Sequence, residues 1–471
     1  MNVRIAHLSR RRLMAGAGAA ALAAASPISS IRPAHAAAAA RPLPARGEFV
    51  IRKAEILSFD PKLGDMKEAD IHVRNGEIVA VGPGLRAGGA EIAGAGFIVM
   101  PGLVDTHNHM WTSFMRAVTL DPRQYGYFAA KAKFGPLVTP EDTYRATRLT
   151  ALQLVEAGVT AVNDMANNTR DAAHAEASIR ATAEAGLRGR FSYGVYEGQK
   201  PDEPFNYGEI AKVQKAIAGG LGGGMVGLGV TLRGLTEDAA TLETNRADYR
   251  KAKEMGLPVS VDGANSAIVL QTAKDGFLGP DYLAVHGIAL SPEARQAMAK
   301  AGAAYSTSPF TELGSLTGLP SAADLMKDGV LCTLSVDSTS NNDANMFMVA
   351  RLTEYIVRMQ TKDAFTFGFK DALTMATING AKALGIAGKT GSLTPGKRAD
   401  LIMVRKSGLA ATPNVDPYRL MMPAQISDID TVVADGRILK QGGKLTVGDM
   451  ALAMREAGES ITALRTKTGW P

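Results

Sequence analysis

Residues 103–110 read LVDTHNHM, an apolar run that ends in two histidines with one residue between them. On a strand the side chains of residues i and i+2 share a face, so His107 and His109 present two imidazoles to one point. Two readings of such a pair stand open: a satisfied pair of core or surface histidines, or two ligands of a metal ion. The rest of the chain weighs on that choice. Of its seven histidines, His7 and His35 lie within the first 36 residues. Three of the other five stand where an apolar run stops: His107, His109 and, after YLAV, His286. Asp262 closes the run PVSVD and Asp337 the run LCTLSVD in the same way. Nitrogen and carboxylate donors gathered at strand ends suit one divalent cation, and a cation so held activates water for hydrolysis. His72 falls in an alternating β segment and His174 in a polar helical one, so both are expected to be structural or solvent-exposed.

Elements must exist to bring those residues together. Eight short apolar runs alternate with helical stretches: FIVMPGLVD, VTAVNDM, RFSYGVY, MVGLGVTL, PVSVD, YLAVH, AAYST and LCTLSVD. This is the pattern of parallel βα units, and eight of them predict an α/β fold of the (β/α)8 TIM-barrel type. Such barrels do their chemistry at the carboxyl ends of the strands, where the five polar residues fall. Among the helices, one is opened by Thr139-Pro140-Glu141-Asp142 and closed by Gly158, with Leu149, Leu152 and Val155 as its inner face. Alternating strands flank the barrel on both sides, with hairpin turns at Asn75-Gly76 and Asp435-Gly436. The expected organisation is a barrel over 101–395, a small β-sandwich built from 48–100 and 396–448, and a helical tail over 449–471.

Composition narrows the function classes. With 46% hydrophobic and 21% charged residues the chain has ordinary globular composition. Ser9-Arg10-Arg11-Arg12-Leu13-Met14, an alanine-rich apolar run and Pro33-Ala34-His35-Ala36 resemble a bacterial twin-arginine signal peptide over 1–36. That predicts the twin-arginine translocase as a partner and a periplasmic or secreted destination. The leader carries five arginines and no acid, so its removal takes the formal charge from +6 to +1. The basic pI therefore gives no reason to expect a nucleic-acid partner, and no basic stripe with interleaved aromatics occurs elsewhere. Cys332 is the only cysteine, so no intrachain disulfide forms. A small-molecule substrate is expected, and a homo-oligomer is compatible with everything above.

The motifs PGLVDTHNHM, LAVHGIALS, LSVDSTSNN and ATINGAKALGIAGKTGSLTPGKRADLIMV, in that order, resemble the amidohydrolase superfamily. Within it the chain is most similar to the branch of cytosine deaminase, S-adenosylhomocysteine deaminase and the triazine chlorohydrolases, from about Glu48 to Val447. The resemblance implies a distorted (β/α)8 barrel with a sandwich made from both termini. It also implies one divalent transition metal, zinc first, with iron, manganese or cobalt as alternatives. His107, His109 and Asp337 match the family's ligands, and His286 matches the histidine that contacts water or substrate. Then the pattern departs. Asp262 stands where the family has a ligand histidine, and Asn265 where it has a proton-shuttling glutamate. Glu312 replaces an asparagine after strand seven.

Asp262 can still ligate, but two carboxylates leave a divalent cation formally neutral and its water harder to ionise. Asn265 cannot carry a proton between atoms. The expected reaction is therefore hydrolysis of an amide, lactam or carbamate, with Asp337 as ligand and base and His286 assisting. Deamination of an aminoheterocycle is the alternative within the family, and a metal-free binding protein the alternative outside catalysis. Asn265, His286, Trp111 and Glu312 are the candidate substrate contacts. Met110, Trp111, Phe114, Tyr125 and Tyr127 form either a pocket wall or simply core.

Overall fold

The computed structural model describes residues 42–116, 118–119, 123–234, 239–315, 318–407 and 416–471. The leader expected over 1–36 lies outside them. Five strands come first: β1 (Glu48–Ile56), β2 (Met66–Arg74), β3 (Glu77–Gly82), β4 (Ala90–Ala93) and β5 (Phe97–Pro101). Eight parallel strands follow, each paired with the next in sequence: β6 (Leu103–Asn108), β7 (Val159–Ala166), β8 (Arg188–Tyr193), β9 (Val226–Leu232), β10 (Val259–Asp262), β11 (Tyr282–Val285), β12 (Ala304–Thr307) and β13 (Leu331–Leu334). The chain then returns through β14 (Leu401–Arg405), β15 (Ile429–Ala434), β16 (Arg437–Gln441) and β17 (Lys444–Leu445). All eight expected runs overlap a barrel strand. The first run divides at Pro101-Gly102, and its FIVM half belongs to the other sheet.

The strands from both ends join through β14, which pairs antiparallel with β5. Hydrogen bonds link all nine into one sheet, so the expected sandwich is a single continuous sheet. It curls until its distant hairpins touch. Asn75-Gly76 and Asp435-Gly436 both adopt left-handed backbone, as two-residue hairpin turns demand. The turns meet so closely that a Cβ on Gly436 would lie 2.3 Å from the Cα of Gly76. Strand alternation then serves two cores. Leu401 and Met403 point into the curled sheet with Ile51, Ile71 and Val73, while Ile402 and Val404 face the barrel helices.

Between β6 and β7 lie two α-helices, the short α1 (Tyr127–Phe134) and the longer α2 (Pro140–Glu156). Thr139 and Asp142 cap α2 reciprocally, and Leu149, Leu152 and Val155 are buried on its inner face. The C-terminal helix Met450–Thr468 lies against α2, joined by an Arg148–Glu456 ion pair. Among the described residues no helix is long and apolar enough to cross a membrane.

Candidate metal centre

The barrel closes at the residues of interest. Asn108 of β6 bridges to Asp337, which lies three residues beyond β13. Asp337 N–H donates to the His107 carbonyl (2.9 Å) and His109 N–H to the Asp337 carbonyl (2.6 Å). Buried Asp105 accepts from Val336 N–H (3.0 Å) and from the Asn108 amide (2.8 Å), stitching the same seam. The register of β6 against β7 shifts between Asp105 and Asn108, a bulge that re-aims the histidine side chains where the strand ends. Asp337 (φ 71°) and His286 (φ 64°) both hold left-handed backbone, which costs a non-glycine residue about 1–3 kcal/mol. Beneath them the barrel interior is a layer of bonded hydroxyls: Thr106 contacts Ser306 (2.7 Å) and Thr333 (2.8 Å).

Five side chains converge above that layer. His107 Nε2 and His109 Nε2 are 3.2 Å apart, and Asp262 Oδ2 is 3.1 Å from His109 Nε2. Asp337 Oδ1 stands 3.4 Å from His109 Nε2 and 3.7 Å from His107 Nε2. His286 Nε2 closes the ring, 3.4 Å from Asp262 and 3.9 Å from Asp337. The donors fit a divalent cation. Bonds of roughly 2.0–2.1 Å in tetrahedral array put ligand atoms about 3.3 Å apart, near the observed spacings. The geometry of the rings fits as well. His109 Nδ1–H donates to the Met165 carbonyl (2.7 Å), and His286 Nδ1–H to Glu312 Oε1 (3.0 Å), so both Nε2 atoms face the centre, offering a lone pair to a metal ion in the neutral rings or an N–H to the carboxylates in the protonated ones. Lone pairs and carboxylates turned on one another repel unless a cation lies between them.

Electrostatics follow from that crowding. Burial lowers the His107 imidazole to about 3. Burial would also lower His286, but its hydrogen bond to Glu312 and the charges of Asp262 and Asp337 prevail and raise it to about 9. Asp262 is opposed by burial, yet the hydrogen bond from His109 and the neighbouring imidazoles hold its carboxyl well below the usual range.

The structure thus brings together His107, His109, Asp262, His286 and Asp337, with Glu312 directly behind His286. Glu312 is fully buried and also accepts from Thr307 Oγ1 (2.6 Å) and Ser308 N–H (2.9 Å), so it orients the imidazole and is not a solvated charge. Asn265 is otherwise engaged than expected: its side-chain oxygen caps the helix Ser266–Lys274, accepting from Ile268 N–H at 2.9 Å. Trp111 belongs to the core at 3% exposure, and its indole donates to Asn167 Oδ1 (2.7 Å). Asn167, which follows β7, then turns its amide towards His109 Nε2 (3.5 Å). Sequence reading missed Asn167; its place just past a barrel strand was the available signal. His72 and His174 are both buried, neither solvent-exposed, and are bonded to Glu48 (2.9 Å) and Asp171 (2.7 Å) away from the centre. Cys332 is buried, and burial raises its thiol far above the usual value.

The amidohydrolase family model matches residues 98–439. The chain belongs to the amidohydrolase family. It is a hydrolase of carbon–nitrogen bonds other than peptide bonds. Among its relatives, 5'-deoxyadenosine deaminase of Methanosarcina mazei is 27% identical over 439 residues, spanning 88% of this chain and 98% of its own. The 5-methylthioadenosine/S-adenosylhomocysteine deaminase of Acetivibrio thermocellus is 28% identical over 374 residues, spanning 75% and 84%. A zinc-bound adenosine deaminase structure from Xanthomonas campestris superposes with a TM-score of 0.77 at 21% identity, covering 90% of this chain and 100% of its own. A zinc complex of atrazine chlorohydrolase from Arthrobacter aurescens gives 0.73 at 22%, covering 88% and 99%. These last two likenesses establish the barrel and the strand-rich sheet as the amidohydrolase fold.

Proposed function

We propose that this amidohydrolase is a zinc-dependent hydrolytic deaminase of a small aminated heterocycle, with an adenosine-type nucleoside as its first candidate substrate. The observation that carries the reading is the nearly end-to-end match to a 5'-deoxyadenosine deaminase, 98% of whose length is aligned. When bound, the cation would be held by His107, His109, Asp262 and Asp337 and would supply polarisation of water. Asp337 then accepts the proton of the attacking water. His286, held by Glu312, gives a proton to the departing amino group, which leaves as ammonia when the carbon–nitrogen bond breaks; the oxygen of water stays on the ring carbon as the carbonyl, the proton taken by Asp337 passes to the ring nitrogen, and the second water proton restores His286. Asp262 lowers the charge at the centre relative to a third histidine, which calls for more help from the surrounding donors.

One observation favours a second reading, hydrolysis of an amide, lactam or carbamate. Asn265 has no dissociable proton, and these substrates ask less of a shuttle than ring deamination does. The deciding experiment incubates metal-loaded protein with 5'-deoxyadenosine, 5'-methylthioadenosine and S-adenosylhomocysteine beside a panel of lactams, amides and carbamates. Ammonia release from a nucleoside is expected. Turnover confined to the lactam, amide or carbamate panel would replace the deaminase reading with the second one. Export through the twin-arginine route is proposed alongside, from Arg10, Arg11 and the Ala-x-Ala-like end of the leader. Changing Arg10 and Arg11 to lysine should leave unprocessed precursor in the cytoplasm, and normal processing would refute it.

A further inference from the structure

Just past β7, one side chain turns a fixed donor on the metal centre. Asn167 follows the last residue of that strand and is half-buried, in contact with the buried indole of Trp111 and the buried ring of His109. The amide is oriented from behind. The Trp111 indole donates to Asn167 Oδ1 (2.7 Å), which leaves the two protons of Nδ2 for the other side. On that side lies the centre, with Nδ2 standing 3.5 Å from His109 Nε2.

Backbone and neighbours hold the amide in place. The Met165 carbonyl accepts from Asn167 N–H (2.9 Å) and from His109 Nδ1–H (2.7 Å), so one oxygen of β7 fixes both the imidazole and the amide beside it. Trp111 is itself buried, its ring edge-on to Phe114. The protons of Nδ2 are poorly matched. Among the described residues His109 Nε2 is their one partner, at the outer limit of a hydrogen bond. The Nε2 lone pair is engaged once a cation is bound, and a proton there points instead at Asp262 Oδ2 (3.1 Å). In either state the Asn167 amide is left to donate to whatever enters the centre. A donor fixed before substrate arrives costs no reorganisation as charge develops.

We propose that Asn167 is a further catalytic residue: its amide donates a hydrogen bond to an oxygen on the carbon that water attacks. The proposal rests on carbon–nitrogen bond hydrolysis at this centre and not on the deaminase reading. In deamination that oxygen is the one brought by water; in hydrolysis of an amide, lactam or carbamate it is the carbonyl oxygen of the substrate. No bond to Asn167 is made or broken, and negative charge that gathers on the oxygen is shared with the amide. Trp111 is then a positioning residue, acting through the end of the amide that it selects.

Inorganic phosphate, a tetrahedral anion, reads the donor without turnover. Metal-loaded wild type, Asn167→Leu, Asn167→Asp, Trp111→Phe and the Asn167→Leu/Trp111→Phe double variant are titrated with it by calorimetry. Phosphate is expected to bind about tenfold more weakly to Asn167→Leu. Asn167→Asp keeps an oxygen for the indole but puts an acceptor where the donor was, so it should bind phosphate more weakly still and carries the test alone if Asn167→Leu does not fold. Trp111→Phe frees the amide to turn, which should weaken binding about threefold and add nothing in the Asn167→Leu background. Metal content per folded chain should be the same throughout. On any substrate the wild type hydrolyses, kcat of Asn167→Leu should fall about a hundredfold with KM nearly unchanged. Wild-type phosphate affinity in the Asn167 variants overturns the proposal, as does a wild type that binds no phosphate at its metal. Equal losses from Trp111→Phe with and without Asn167 overturn it too, because packing would then explain them. So does metal lost from the Asn167 variants, since Asn167 would then only support His109. A wild type that binds phosphate but releases no ammonia from nucleosides sinks only the deaminase reading.

Discussion

By the sequence resemblance Asn265 is expected in the place of a proton-shuttling acid, and its side-chain oxygen is spent on the first turn of the next helix. The two roles separate by substitution. Asn265→Asp keeps an oxygen for Ile268 N–H and adds an ionisable group beside a helix N-terminus that favours negative charge. Stability should then change by less than about 0.5 kcal/mol, while nucleoside deamination, followed by ammonia release, rises above wild type. Asn265→Ala should cost about 1 kcal/mol in urea unfolding and leave the chemical step nearly as it was. A rise in deamination with Ala as large as that with Asp would show that a carboxyl at this position is irrelevant. The clustering of His107, His109, Asp262, His286 and Asp337 was legible in the sequence because histidine is scarce there and strand ends are few, so their coincidence stood out. The Glu312–His286 contact was not, since it joins residues 26 apart on different elements.

At the scale of elements, the hairpin turns of β2–β3 and β15–β16 show how closely two remote pieces of chain fit. Gly436 has φ of 70° and meets the Gly76 backbone, so an added methyl group has neither the conformation nor the space it needs. Gly436→Ala should destabilise the protein by about 2 kcal/mol or more in denaturant unfolding, with metal content per folded chain unchanged. A cost below about 0.5 kcal/mol would mean the turns part freely. Both turns were readable as turns from Asn-Gly and Asp-Gly between alternating strands, because those signals are local. Their packing against one another was not, because a pattern of alternation says which face of a strand is buried and not which distant strand buries it. For the same reason one curled sheet and a two-layer sandwich give identical sequence patterns. The eight barrel strands were legible since each lies buried as a short continuous apolar run, although Pro101-Gly102 concealed the step from one sheet to the other.

At the scale of the whole molecule, the edges of the barrel meet through Asp105, Asn108 and Asp337, across 231 residues of sequence in the Asp105–Val336 contact. His107 and His109 belong to one edge, Asp337 to the other and Asp262 to a strand between them. A cation bound to all four is therefore a cross-link that closes a very long loop, and loop closure on that scale is entropically expensive for a chain to re-form. Stripping the metal with a chelator should accelerate unfolding in urea by about tenfold or more, read by stopped-flow fluorescence, with a smaller effect on refolding. Equal unfolding rates with and without metal would place the seam's strength entirely in its hydrogen bonds. The same ion that makes water reactive would then act as a removable staple, and metal supply would govern how long each folded copy lasts as well as how fast it works.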